Sequence, residues 1–175
     1  MEGSTSSPPT GGQAVDHDRY TDAYLRGILD TVDTIAMVGA SPKWVRPSYF
    51  AMKYLQSKGY RVIPVNPGAA GQDILGERCH ASLADIPVPI DMVDIFRNSE
   101  AALGITREAL ALRPLPAVVW MQLGVRNDEA AALAEAAGLK VVMNRCPKIE
   151  YARLSGEIAW QGVNSRVISS KRRRT

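Results

Sequence analysis

Histidine and cysteine are scarce in this chain of 175 residues, which has two of each. His17 and His80 stand far apart and neither belongs to a Cys/His cluster with zinc-ligand spacing, so the sequence offers no metal site. Cys79 and Cys146 form no CxxC pair and are too few for a disulfide framework, which points to two reduced thiols and a cytoplasmic setting. No apolar run approaches the roughly 20 residues that span a bilayer. The amino terminus, with Pro8, Pro9, Gly11 and Gly12, lacks the apolar centre of a signal peptide. Net basic charge is scarce too, outside one short stretch. The formal charge is +3, but Lys171, Arg172, Arg173 and Arg174 supply four of the positive charges, and without them it becomes −1. A nucleic-acid-binding domain needs a basic face on its folded part, so neither nucleic acid nor membrane is an expected partner.

What the chain does have is alternation. Residues 1–17, rich in Ser, Thr, Gly and Pro, cannot bury enough surface to offset ordering and are expected to be a disordered tail. Residues 18–165 form one α/β domain, and 166–175 a basic tail. Within the domain, Thr21 is placed to cap a helix bearing Leu25, Ile28 and Leu29 at helical spacing. Compact apolar runs at Thr34–Val38, Tyr60–Val65, Met92–Phe96, Ala117–Met121 and Lys140–Asn144 read as strands. Helical stretches separate them: Pro47–Lys58, one capped by Ser99 and ending near Leu112, and one capped by Asn127 and stopped by Gly138. Strands that are apolar throughout belong in parallel sheets covered on both faces. The expected fold is therefore a Rossmann-like, doubly wound, parallel five-stranded sheet with helices on both faces and strand order 3-2-1-4-5.

Ligands of such sheets sit beyond the carboxyl ends of the strands, where the order reverses. The first strand-to-helix connection runs Gly39-Ala40-Ser41-Pro42-Lys43-Trp44-Val45-Arg46-Pro47-Ser48-Tyr49. Gly39 and Ala40 permit close backbone approach, Ser41 and Ser48 carry hydroxyls, and Lys43 and Arg46 carry cations, all ahead of a helix start whose dipole favours anions. The dinucleotide fingerprint GxGxxG is absent, since the next glycine after Gly39 is Gly59. The end of the second strand carries Asn66 where an NAD site usually has an acid for the ribose hydroxyls. A ligand with several phosphates fits better than NAD, and charge alone does not exclude NADP.

The stretches Val38-Gly39-Ala40-Ser41-Pro42-Lys43, Arg46-Pro47-Ser48-Tyr49, Val62-Ile63-Pro64-Val65-Asn66-Pro67, Val93-Asp94-Ile95-Phe96-Arg97, Val119-Trp120-Met121-Gln122-Leu123-Gly124 and Asn144-Arg145-Cys146-Pro147-Lys148 resemble the small CoA-binding protein family. The region is also similar to the N-terminal CoA-binding domain of the succinyl-CoA synthetase α subunit. The resemblance implies a site for coenzyme A or an acyl-CoA. In it, Gly39, Ala40 and Ser41 with Lys43, Arg46, Pro47, Ser48 and Tyr49 hold phosphates, Asn66 and Pro67 lie near the adenosine, and Phe96, Arg97, Gln122 and Gly124 follow the crevice. The synthetase works through a phosphorylated histidine on a further domain. Neither His17 nor His80 matches that role, so binding without catalysis is expected. Two alternatives stand beside it: an NADP-type nucleotide-binding regulator acting through an unidentified protein partner, and an acyl-CoA-handling enzyme using Cys146, whose neighbours Arg145 and Lys148 could activate a thiol. Trp120 is expected in the core.

Overall fold

Five short strands carry almost no polar side chains, and a computed structural model describing residues 14–156 shows why. The strands are β1 (Thr34–Val38), β2 (Arg61–Val65), β3 (Met92–Ile95), β4 (Val118–Met121) and β5 (Lys140–Val142). Five helices accompany them: α1 (Asp22–Thr31), α2 (Pro47–Ser57), α3 (Ser99–Leu110), α4 (Asp128–Ala136) and α5 (Pro147–Leu154). All strand pairs of the five-stranded sheet are parallel. On one face Ile35, Met37, Met92, Trp120 and Val142 meet Leu25, Leu29, Met52, Leu55 and Tyr151 from α1, α2 and α5. On the other, Ala36, Val38, Val93, Ile95, Val119 and Val141 meet Ala102, Ile105, Ala109, Ala130 and Ala134 from α3 and α4. Strands covered on both faces need apolar residues at every position, and that is the pattern read in the sequence.

The order of the sheet is β2-β1-β3-β4-β5, not the expected 3-2-1-4-5. The physical reason lies in β2. Pro64 has no N–H, and its carbonyl accepts from His80 N–H at 3.0 Å on the side away from β1. A proline is tolerated at an edge and not between two strands, so β2 cannot be interior. The connection after β2 then fills the edge. It contains a 3₁₀ turn at Pro67–Ala69, an antiparallel hairpin pairing Asp73–Ile74 with Glu77–Arg78, and a second 3₁₀ turn at Leu83–Asp85. His80 forms a parallel bridge with Val65, and its carbonyl accepts from Asn66 N–H. β3 is thereby sent to the far side of β1, where Asp91 Oδ2 accepts from the N–H groups of Asp33 and Thr34, both at 2.9 Å.

Smaller differences concern element ends. Tyr60, Phe96, Ala117, Met143 and Asn144 fall just outside the strands. The α3 cap is Asn98, whose side chain accepts from Ala101 N–H, and not Ser99, the first helical residue. Asn127 caps α4 as read. The opposite sheet edge, β5, is met by tyrosines: Tyr24 OH donates to Val141 O and accepts from Val141 N–H, and Tyr20 OH accepts from Met143 N–H. Burial pushes the Tyr24 phenol up to about 12. His17, assigned by the sequence to the tail, bonds Tyr20 OH and the Glu135 carboxylate, each at 2.7 Å. The basic tail at 166–175 lies outside the described residues.

Candidate functional site

The helices after β1 and β3 pack on opposite faces of the sheet, so the two connections part and leave a crevice above adjacent carboxyl ends. In the order found here the switch point lies between β1 and β3, and not between β1 and β4 as the order 3-2-1-4-5 implied. Gly39 stands at this point with φ of +92°, and a Cβ placed there would lie 2.2 Å from Phe96 O. No other residue type fits against that carbonyl without moving β3. Its N–H donates to Val65 O at 2.8 Å, and Phe96 N–H donates to Val38 O at 2.7 Å, so the turn is fixed on both sides.

A cavity of about 360 Å³ opens on the α2 side of Gly39, lined by Gly39, Ser41, Arg46, Pro47, Ser48 and Phe96. Ser48 is buried and its Oγ accepts from Ser41 N–H at 3.1 Å, while Ser41 Oγ accepts from Lys43 N–H at 3.1 Å. Each hydroxyl therefore braces the loop as an acceptor and keeps its proton to donate elsewhere. The start of α2 is open. Arg46 at the N-cap makes no side-chain bond to it, Pro47 has no N–H, and Tyr49 N–H turns back to Arg46 O. Ser48 N–H is left without an acceptor among the described residues, beside an exposed guanidinium that forms no ion pair there. Open N–H, hydroxyl protons and a cation at a helix start make an anion site.

A second cavity of about 200 Å³ adjoins the other side of Gly39, above α3. Val38, Val65, Pro67, Ala101 and Ile105 give it apolar walls, and Asn66, Ser82, Arg97 and Glu108 give it polar groups. Asn66 serves mainly as a brace: its Nδ2 donates to Ala40 O and its Oδ1 accepts from Gly68 N–H, both at 2.9 Å. Arg97 is exposed and has no ion pair among the described residues.

Of the residues named from the sequence, Gly39, Ser41, Arg46, Pro47, Ser48 and Phe96 thus meet in one cavity, and Gly39, Asn66, Pro67 and Arg97 in the other. Ala40, Lys43, Tyr49, Gln122 and Gly124 line neither. Ala40 is buried, Lys43 is exposed on the loop, and Tyr49 is half-buried against the α2 core. Gly124 donates to Asn144 Oδ1 at 2.7 Å beyond β4, and Gln122 is buried with its Oε1 unpartnered. Ser82, Ala101, Ile105 and Glu108 were not foreseen. The spacing of Ala101, Ile105 and Glu108 on α3, next to an asparagine-capped start, was the available signal.

Cys146 is 7% exposed at the start of α5. The Arg145 guanidinium bonds Asn144 O and Asp18 O and lies over the Tyr20 ring, so it is held away from service to the thiol. Trp120 is fully buried and donates to Arg145 O at 2.9 Å. Among the described residues no group of His, Cys, Asp and Glu is arranged to hold a metal ion, and no helix is long and apolar enough to cross a membrane.

Residues 33–152 match the family described as CoA binding domain. The chain belongs to the CoA-binding domain family. The chain is 37% identical to uncharacterized protein YneT of Bacillus subtilis (strain 168) over 130 residues, covering 74% of this chain and 93% of that protein. Among solved structures it is similar to cell-free ID.343 from Thermus thermophilus, with 40% identity, a TM-score of 0.72, and coverage of 77% of this chain and 98% of that one. It is likewise similar to a hypothetical protein from Pyrococcus horikoshii OT3, with 40% identity, a TM-score of 0.74, and coverage of 82% and 99%. The matched span of this CoA-binding domain includes the whole sheet and both cavities.

Proposed function

We propose that the protein holds coenzyme A, free or as an acyl thioester, across the carboxyl ends of β1 and β3 and performs no catalysis of its own. The observation that carries this reading is the pair of cavities meeting at Gly39. One offers an uncapped helix start, two serine hydroxyls and Arg46; the other offers apolar walls, Arg97 and Glu108. Coenzyme A has that division: a pyrophosphate between an adenosine and a long arm. The pyrophosphate belongs over the start of α2, and the purine in the smaller cavity, with Arg97 meeting the phosphate on the ribose. Asn66 puts no charge against that phosphate. Family membership supports CoA binding in general.

The absence of catalysis is read from Cys146, which is buried and whose neighbour Arg145 is engaged with Asn144 O and Asp18 O. Two unpaired, buried cysteines accord with a cytoplasmic home. Calorimetry tests the proposal. CoA is expected to bind more tightly than NADP or NAD. Absent heat with CoA alongside clear binding of NADP would instead assign the site to the nucleotide-sensing alternative. Turnover of an acyl-CoA by the wild type that is lost in Cys146→Ser would restore the enzyme reading.

A further inference from the structure

Among the described residues six large apolar side chains are exposed: Trp44, Val45, Phe50, Leu115, Leu123 and Ile149. They are not scattered. All but Leu115 lie in segments that leave the carboxyl ends of strands. Trp44 and Val45 are in the β1–α2 loop, Phe50 is in the first turn of α2, Leu123 is in the turn after β4, and Ile149 is in the first turn of α5. The segments are tied together. Lys148 Nζ lies 6.0 Å from the Phe50 ring centre and so joins the first turns of α2 and α5. Bonds from Gly124 N–H to Asn144 Oδ1 and from Arg145 N–H to Met121 O hold the Leu123 turn against the approach to α5. Hydrocarbon gathered at one edge of a domain and left in water marks a binding surface.

A second observation points along the same path. Gln122 is 9% exposed, and its Oε1 is buried without a donor. It follows β4 beside Phe96, with its N–H bonded to Ile95 O at 3.1 Å. From β1 to β4 is two strand spacings, about 10 Å. The pantetheine arm is about as long as four extended residues, on the order of 14 Å. An arm starting at the anion cavity therefore passes Phe96 and brings its sulfur to the end of β4 beside Gln122, so that an acyl group carried on that sulfur extends among Phe50, Leu123 and Ile149.

Resting on the proposed CoA site, we infer that its ligand is a CoA thioester bearing a hydrocarbon acyl group, which this collar covers. The test is calorimetry of the full chain with CoA, acetyl-, butyryl-, hexanoyl- and succinyl-CoA. Affinity is expected to rise with chain length, hexanoyl-CoA binding roughly tenfold tighter than CoA, as burial of a few methylenes allows. Succinyl-CoA, with its terminal carboxylate, is expected to gain nothing. The double variant Phe50→Ser/Ile149→Ser, at two exposed positions, should bind CoA as the wild type does and lose most of the gain with hexanoyl-CoA. A flat series, or a preference for succinyl-CoA, overturns the inference while leaving the CoA site standing. Failure to bind CoA at all overturns the proposed function beneath it. Sedimentation showing a dimer that this variant dissociates, with an unchanged acyl series, would assign the collar to a second copy and also overturn the inference.

Discussion

The five helix starts fall into two kinds. α1, α3 and α4 are closed by the side chains of Thr21, Asn98 and Asn127, which accept from Tyr24, Ala101 and Ala130 N–H. α2 and α5 begin with proline after Arg46 and Cys146, and neither N-cap side chain bonds its helix. A capping side chain satisfies one of the donors that every helix start leaves over, and is worth about 1 kcal/mol to the fold. Where the protein omits the cap, the donors remain for something else. The open starts are the two that border the anion cavity and the apolar collar. Three starts are closed by their own side chains, and two keep their donors open.

Substitutions separate the two kinds of start. The largest effect is expected at the point where both cavities meet. Gly39→Ala adds a Cβ against Phe96 O at a φ that L residues rarely adopt. It should cost about 3 kcal/mol or more in urea unfolding and weaken CoA binding as β1 and β3 are forced apart. A variant of wild-type stability would show that the approach at Gly39 is looser than the geometry states. Next, Arg46→Ala should weaken CoA by about 10- to 100-fold, the worth of a charge-assisted hydrogen bond, while leaving stability unchanged because the side chain is exposed and unpaired. Asn127→Ala should do the reverse, losing about 1 kcal/mol of stability with CoA affinity intact. If both variants move both quantities, the division between closed and open starts does not hold.

Asp94 lies in the middle of β3 between Met37 and Trp120. Both carboxyl oxygens are buried without partners, and burial raises its pKa well above the ordinary 3.8. The folded protein thus keeps a proton that the unfolded chain releases, so stability is fully present below the ordinary carboxylate range and falls as pH rises through the folded value. Asp94→Asn removes that slope. Its melting temperature relative to wild type should be higher at pH 8 than at pH 5, with the difference fading toward acid. Parallel melting curves across that range would refute the assignment.

The layered architecture was legible because each core strand is apolar at nearly every position, and only two-sided cover asks for that. Most of the lining of the first cavity was legible because it is nearly consecutive: turn, hydroxyls, Arg46 and helix start lie between Gly39 and Ser48. The strand order was misread although its clue is a single residue. Pro64 forbids an interior β2, but it sits in an apolar run that invites reading by hydropathy alone. Asn98 and Ser99 are both capping residues, and only backbone conformation decides between them. The second cavity draws Val65, Ser82, Arg97 and Glu108 from three separate segments, which only the β2–β1–β3 adjacency brings together. Gln122 and Gly124 follow β4 and line neither cavity.

The fastenings along the two outer strands carry one more consequence. An edge of a parallel sheet is a template on which another chain can lay a strand and propagate an aggregate. Here His80 occupies the outer side of β2 through its bonds with Pro64 and Asn66, and the hydroxyls of Tyr20 and Tyr24 occupy the main-chain groups bordering β5. The sheet offers a newly made neighbour little to copy. Among the described residues the hydrocarbon left uncovered at one rim is thus set apart from the two flanks on which a further strand could be laid.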